Sequence, residues 1–473
     1  MRERTRPLVL KFGGTSVADA EAIGRLIRIV RPLHEEGTPV VLVVSAMSGV
    51  TDRLLALASA AERREAEAVS AGVAALTSRH RDAMRALGSL DSAQWFEISS
   101  NFDELQALLT ATSILRAASP AARDAIASVG ELASSRLVAA ALERAGIPAA
   151  WVDCRRAIVT DAHHTCAIPD TEATDRAVER EIAPLLATGQ VAVAGGFVAA
   201  TGAGVTTTLG RGGSDYSAAI IGGALDAAEI QIWTDVDGML TADPRVIDNP
   251  RVVPRLSFPE ASELAYFGAK VLHPSTILPA VAKGIPVRIL NSRAPEGSGT
   301  TITGAADGEK PPLAAIACKR GVTMIEITST RMLLAHGFLH RVFEIFERFA
   351  TSVDVVTTSE VSVSLTLDDD RRVNEIVQAL SEFSEVTVER GLAMLAAVGD
   401  GLRTTPRTAA RVIGVLEDFP VRMVSRAASR RNVTLVLSDS DLVSAMARLH
   451  EEFFDLAAPI TVRLQPDARA IES

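Results

Sequence analysis

The sequence predicts an α/β protein: a parallel-rich sheet sandwiched by helices, followed by two smaller α+β modules. Three observations carry this. Through the first 300 residues, short apolar runs alternate with stretches of helical spacing, and strand–helix–strand repetition requires a mostly parallel sheet covered on both faces. The texture then changes at the Gly- and Pro-rich stretch "GAADGEKPP", which reads as a linker. Beyond it, two segments that begin at Arg341 and Arg411 repeat one another.

Residues 8–12 read as the first strand. Residues 20–36 have helical spacing, with Ile23, Leu26, Ile27 and Val30 on one face. "PVVLVVSA" from Pro39 is continuously apolar, as a strand buried in a parallel sheet must be. Residues 52–118 are Ala-rich and helical. Ser119 then caps a further helix, with Pro120 at its first position. "AAWVD", "VAVAGGF", "IQIWTD" and "PVRIL" supply more strands, and "SAAIIGGALD" is helical between two of them. In the repeats, Val342, Phe346 and Phe349 match Val412, Leu416 and Phe419. Each copy reads as a strand, an amphipathic helix, a strand, a turn and another strand, a tandem βαββ-type unit. Such a pair behind an enzyme-like domain suggests a sensor joined to a catalyst, or a platform for dimerisation.

Composition narrows the function. A net charge of -10 argues against nucleic acid as the main partner. The basic start "MRERTRP" is followed by too short an apolar run for a signal peptide, and the Gly/Thr-rich stretch around 191–210 reads as strand and loop rather than a membrane span. Cys154, Cys166 and Cys318 form no C-x-x-C pair, so a reducing cytoplasm fits. Only five of the 48 basic residues are lysines: Lys11, Lys270, Lys283, Lys310 and Lys319. In a chain that uses arginine so freely, a lysine marks a place where a compact ammonium is needed, or it is a surface survivor.

Several stretches carry chemistry. "KFGGTSVAD" follows a strand with a lysine and two glycines, yet matches neither common phosphate loop. In "TTTLGRGGSDYSAA", Gly210, Gly212 and Gly213 permit close approach of a ligand. Arg211 can grip a carboxylate, and Ser214 and Asp215 open a helix whose N–H groups favour anions. The alternative is a glycine loop with a simple N-cap. "WTDVDGMLTADPR" leaves the carboxyl end of a strand, where ligands bind in open parallel sheets, or it is an ordinary Asp/Gly turn. Lys270 in "FGAKVLHP" suits a phosphate. Glu131 in "SVGEL" reads from position alone as an exposed helical carboxylate. "DAHHTC" has metal-ligand residue types but no usual zinc spacing, and reads as a surface loop.

With "VVSAMSGVTD" and "GFLHRVFEIF…SVDVVTTSEVSVSLTLD", these stretches stand in an order that resembles the aspartate kinases over nearly the whole chain, nearest the monofunctional, lysine-sensitive class. The resemblance implies an amino-acid kinase domain over 1–304 and two ACT regulatory domains over 313–394 and 395–466, with the strand at 313–318 able to complete the second. It implies that Lys11 and Asp215 are catalytic. Ser45, Thr51, Glu131, Arg211, Gly212, Gly213 and Ser214 would bind aspartate. Lys11, Gly13, Gly14, Thr15, Thr234, Asp235, Leu240, Arg245, Lys270 and Val271 would hold ATP, accompanied by Mg²⁺ with no protein metal ligand. An allosteric lysine would meet Met332, Ala335, Gly337, Phe338, Leu339, Ser352, Val353, Asp354, Ser359 and Glu360. Leu240 replaces the family's usual tyrosine, and Ala335 a serine. In the second repeat Arg422 stands where Asp354 stands in the first, which would repel a cation.

The implied reaction passes the γ-phosphoryl group of ATP to the side-chain carboxylate of L-aspartate, the first step toward lysine, threonine and methionine. L-Lysine is the implied feedback effector and a homodimer through the ACT units, or a tetramer, the implied assembly, with no nucleic acid or membrane partner. Kinases of glutamate or acetylglutamate, and a non-catalytic amino-acid sensor, are the alternatives. No dinucleotide fingerprint supports fusion to a dehydrogenase.

Overall fold

Two runs of aliphatic residues, β1 (Leu8–Phe12) and β2 (Val40–Val44), are buried almost throughout and pair in parallel. Such runs are stable only inside a sheet covered on both faces. They sit at the centre of the first of two compact units in the computed structural model, which describes residues 5–88, 92–268, 272–304, 311–329, 336–426 and 428–455. The first unit comprises Met1–Met239, Val252–Ala265 and Lys270–Asp307. The second comprises Leu240–Arg251, Tyr266–Ala269 and Gly308–Ser473.

The first unit continues with β3 (Ala149–Val152), β4 (Val159–Thr160), β5 (Val191–Gly195), β6 (Val198–Thr201), β7 (Thr206–Thr208), β8 (Glu229–Thr234), β9 (Arg255–Ser257), β10 (Val287–Asn291) and β11 (Thr300–Thr303). Eight strands form one sheet in the order β3-β5-β2-β1-β8-β10-β11-β9, while β4, β6 and β7 form a small second sheet. From β3 to β10 every neighbour is parallel, and β11 returns antiparallel to β10. The parallel run aligns the carboxyl ends of β1, β2, β5 and β8 along one edge. Leu10 and Phe12 point into the core from one face of β1, each contributing about 2–3 kcal/mol of burial.

Helix ends follow their local signals. Asp19 caps Ala20–Glu35 by accepting the amide of Ala22. Ser119 caps Pro120–Arg144 in the same way, with Pro120 in the first turn as predicted. Pro120–Arg144 is long and apolar enough to cross a membrane, but 89% of its most apolar window is buried inside this unit. The helical expectation over 52–118 resolves into three helices, Val50–Glu62, Ala66–Ala86 and Ser92–Leu115. Arg64 breaks the first join by adopting positive φ, 61°.

The second unit is built on two long strands, β12 (Ala315–Thr328) and, after β13 (Val356–Thr358) and β14 (Ser362–Leu367), β15 (Glu385–Val398). With β16 (Met423–Ser425) and β17 (Asn432–Ser438) they give the order β13-β14-β12-β15-β17-β16. β12 and β15 pair antiparallel along their whole length, with a register shift near Gly321 and Gly391, both at positive φ. The strand expected before each repeat is therefore half of a strand shared by both. The later half of β12 pairs with β14, and the later half of β15 with β17. The repeat helices are Phe338–Arg348 and Pro406–Val415, and each half adds a second helix, Val373–Leu380 or Leu442–His450. Each half has its own core.

Candidate active site

Lys11 is the fourth residue of β1. Alternation turns Leu10 and Phe12 to the core and leaves Lys11 on the face of Val9, which adjoins Gly222 of the helix Gly213–Ala224. Asp215 lies in that helix's first turn. Lys11 Nζ stands 2.6 Å from Asp215 Oδ1, and both side chains are nearly buried.

The loops at the carboxyl edge are locked together. The Ser45 amide donates to Phe12 O, the Gly13 amide to Trp233 O and the Ser48 amide to Gly14 O. A Cβ on Gly14 would lie 3.0 Å from Ala46 O, tighter than a side chain usually tolerates, so glycine lets the two loops touch. Ser16 Oγ shares a 2.8 Å hydrogen bond with Ser292 Oγ. Ser134 Oγ, on the helix Pro120–Arg144, donates to Ser45 O at 2.7 Å. Gly130 of that helix packs so near Ala46 that an added Cβ would lie 2.8 Å from Ala46 Cβ.

That close packing places Glu131 inside, and the exposed carboxylate expected from position is corrected: Glu131 is 4% exposed. Its Oε2 is buried without a hydrogen-bond partner. Burial pushes its carboxyl up to about 8, with only partial offset from the Ala46 backbone. A buried carboxylate oxygen without a donor favours a cation brought to it.

Lys11, Ser45, Thr51, Glu131, Gly212, Gly213, Ser214 and Asp215 all line one cavity of about 270 Å³, joined by Phe197 and Gly210. Phe197 was not legible as a site residue. It holds positive φ, 67°, a conformation costly for a bulky side chain, and its amide donates to Ser217 Oγ. Gly196 beside it admits Ser214: an added Cβ would lie 2.7 Å from Ser214 Cβ. Arg211 is exposed and is not among the lining residues. It sits between Gly210 and Gly212, whose φ of 73° and 71° lie in the left-handed region that glycine adopts without strain.

The residues expected at the nucleotide are distributed differently. Gly13, Gly14 and Thr15 follow Lys11 directly. Thr234 ends β8, donates to Asp235 Oδ1 at 3.3 Å, and has its carbonyl held by the Ser292 amide. Leu240 and Arg245 belong to the segment that clusters with the second unit, where Arg245 pairs with Asp243 at 2.7 Å. Lys270 and Val271 lie outside the described residues. Among the described residues no cluster of three His, Cys, Asp or Glu could hold a metal ion. "DAHHTC" is a loop tied to buried Asp124, which accepts from the Thr165 amide and Thr208 Oγ1 and pairs with His164.

At the expected effector residues, Gly337 caps Phe338–Arg348 at φ 83°. Phe338 stacks edge-on with Phe383, Leu339 is 40% exposed, and Ser359 forms a turn with Ser362. Ser352, Val353 and Asp354 lead into β13, while Glu360 is exposed in the turn before β14. The Asp354 amide donates to Thr366 O, and the Arg422 amide donates to Val436 O at the same register of the second half. Arg422 is paired with Glu389. Met332 and Ala335 lie outside the described residues.

Residues 6–291 match the amino acid kinase family, and residues 395–453 an ACT domain. The chain is 38% identical over 464 residues to the lysine-sensitive aspartokinase 3 of Escherichia coli, covering 95% of this chain and 99% of that protein. It is 37% identical over 480 residues to the chloroplastic aspartokinase 3 of Arabidopsis thaliana, covering 96% and 82%. The structure of E. coli aspartokinase III in complex with lysine and aspartate, a T-state, superposes with a TM-score of 0.81 at 37% identity, covering 95% of this chain and 99% of that one. The R-state of the same enzyme, with aspartate and ADP, superposes with a TM-score of 0.77 at 36% identity, covering 95% and 100%.

Proposed function

The chain belongs to the amino acid kinase family and, within it, to the aspartokinases, and from that premise we propose that it transfers the γ-phosphoryl group of ATP to the β-carboxylate of L-aspartate, releasing ADP and 4-phospho-L-aspartate. One observation carries this reading: a single cavity holds both a lysine suited to a phosphoryl group and a buried carboxyl, one oxygen of it without a hydrogen-bond partner, suited to an amino-acid ammonium.

The acceptor carboxylate has an ordinary pKa of about 3.9, so it is already a nucleophile at neutral pH and needs no general base. The barrier lies in bringing two anions together, which catalysis lowers by positioning and positive charge. Lys11 meets the phosphoryl group in transfer, and Asp215 fixes the direction of its ammonium. Amides of Gly13, Gly14 and Thr15 take the phosphate oxygens. Glu131 holds the substrate ammonium, and Arg211 clamps its α-carboxylate beside Gly212, Gly213 and Ser214, with Ser45 and Thr51 also lining the cavity. Thr234, Asp235, Leu240, Arg245, Lys270 and Val271 hold the nucleotide. A Mg²⁺ ion would be held chiefly by phosphate oxygens and would supply further positive charge there; among the described residues no group of three His, Cys, Asp or Glu could cage it.

The domain reading is a kinase domain over 1–304 and ACT domains over 313–394 and 395–466, the early part of β12 completing the second. L-Lysine acts as feedback inhibitor at the first ACT unit, the protein is a cytoplasmic homodimer through its ACT units, and the pathway leads to lysine, threonine and methionine. The test is ADP release with a panel of acceptors (aspartate, glutamate, acetylglutamate), repeated with lysine, threonine and methionine. Turnover that prefers another acceptor would overturn the reading.

A further inference from the structure

The segment Leu240–Arg251 leaves the first unit in sequence but is folded into the core of the second. Ala242 and Ile247 belong to the same apolar cluster as Leu402, Val412, Leu435 and Leu449. The segment closes on itself, Thr241 and Arg251 exchanging backbone hydrogen bonds through N, O and Oγ1. Its Thr241 carbonyl also accepts the Ile316 amide at the start of β12.

One polar chain, buried at Thr241 and His450 and exposed at Asp455 and Arg251, holds this arrangement from far along the sequence. Thr241 Oγ1 lies 2.9 Å from His450 Nε2, and His450 Nδ1 lies 3.2 Å from Asp455 Oδ2. Arg251 donates to the other oxygen of Asp455 at 3.0 Å. The donors and acceptors assign themselves. The Asp455 carboxylate can only accept, so Nδ1 of His450 carries a proton, and in the neutral ring Nε2 is then the acceptor. Thr241 Oγ1 therefore donates to Nε2 while it accepts the Arg251 amide. The order Asp–His–Thr is that of a nucleophilic triad. Here, however, Thr241 and His450 are 5% and 3% exposed, which closes the hydroxyl to any substrate, so the chain serves to fix geometry.

We propose that His450 is a positioning residue for the nucleotide: through Thr241 it pins the segment Leu240–Arg251 into the C-terminal ACT core and so sets where Leu240 and Arg245 stand. This rests on the reading of Leu240 and Arg245 as nucleotide contacts. It gives the second ACT unit a task that requires no effector, in keeping with Arg422 at the position of Asp354.

The experiment is steady-state kinetics of the full chain with ATP and aspartate varied separately. His450→Ala should raise the KM for ATP about three- to tenfold, the range expected for one buried neutral hydrogen bond, and leave kcat and the KM for aspartate within about twofold. His450→Gln, whose carbonyl oxygen reaches the place of Nε2, should recover most of the loss. Thr241→Val, which also removes the acceptor of the Arg251 amide, should raise that KM at least as much as His450→Ala, and the double variant should fall short of the sum of the two, since they share one hydrogen bond. If His450→Ala fails to fold, Thr241→Val and His450→Gln carry the test. Arg245→Ala separates the premise from the inference. If it raises the KM for ATP while the His450 and Thr241 variants do not, the positioning role is overturned. If it too leaves that KM unchanged, the nucleotide reading falls and takes the positioning role with it.

Discussion

Lys319 already holds Asp354: its ammonium lies 3.0 Å from Asp354 Oδ2 and 2.7 Å from Asp368 Oδ2. Tyr266 adds a hydrogen bond to Asp354 Oδ1. Burial works against the Lys319 charge, but its bonds to Asp368 and Asp354 prevail, so the ammonium titrates above its ordinary value. Asp354 was expected to receive the ammonium of an effector lysine, and the structure supplies it with a lysine of the chain's own. An external lysine bound at Asp354, as proposed, would have to compete with that tethered one. Lys319→Met is expected to lower the lysine concentration for half-maximal inhibition about three- to tenfold, as a partly buried ion pair of modest strength would. Asp354→Ala should abolish inhibition. Inhibition curves on ADP release decide it: weaker inhibition in Lys319→Met would mean that Lys319 builds the site rather than fills it.

If Glu131 holds the substrate ammonium, as proposed, aspartate binding should depend on pH. Its carboxyl is raised from 4.5 to about 8 chiefly by burial, so without substrate a proton occupies it at neutral pH. A substrate ammonium needs the ionised form, so proton and substrate compete. The KM for aspartate should fall as pH rises from 6, about tenfold per unit well below 8, and level off above it. Glu131→Gln should flatten this profile and raise the KM about a hundredfold. The same shift acts on stability. The folded value is raised, so the ligand-free protein loses stability as pH climbs from 4.5 through about 8, where charging the buried group becomes costly. Added aspartate relieves that cost, and its thermal shift should be larger at pH 8.5 than at pH 6. A shift independent of pH would count against the role.

What the sequence made legible was local. Lys11, the glycines after it and the stretch around Asp215 announce themselves by residue type beside strands and helix starts, and eight of the expected residues line the cavity. What it hid depends on contacts distant in sequence. Glu131 sits on a helix buried around most of its circumference, so no apolar stripe marks its inner face, and the close approach of Gly130 to Ala46 reveals its burial. Phe197 reads as one more apolar residue of a strand, because its backbone angle is not written in its type. Thr241 and His450 are 209 residues apart; Thr241 lies in "WTDVDGMLTADPR", but nothing in that stretch marks its partner, and His450 lies in no motif. The repeat itself was legible from apolar spacing, but not that its two leading strands each serve both halves, since that depends on register.

Lys11 is expected to be irreplaceable even by arginine. Its ammonium occupies a narrow place against Asp215, with Gly13 behind it: a Cβ there would be 3.7 Å from Nζ. A guanidinium is wider, planar and directed by its fork rather than free to turn. Lys11→Arg should keep the KM for aspartate within about threefold and lower kcat about 10²- to 10³-fold, the range seen when one transition-state donor is lost. Near-parental kcat would remove Lys11 from the phosphoryl group's path.

Gly196 tests whether the aspartate pocket depends on a residue outside the motifs that carry the site. An added Cβ would lie 2.7 Å from Ser214 Cβ and 2.8 Å from its Cα. Backbone stands behind that contact, so no flexible side chain can turn aside, and Ser214 or the turn at Phe197 must move. Gly196→Ala is therefore expected to cost about 1–3 kcal/mol of stability, as overpacking does. Displacing Ser214 from the cavity wall should raise the KM for aspartate about tenfold, whereas the KM for ATP should change less, because the nucleotide residues lie on other loops. Gly202→Ala is the control: nothing lies within 4 Å of its added Cβ, and both stability and kinetics should stay at parental values. Thermal denaturation with kinetics on the two variants settles the point. A stable Gly196→Ala protein with an unchanged KM for aspartate would show that Ser214 does not contribute to holding the substrate.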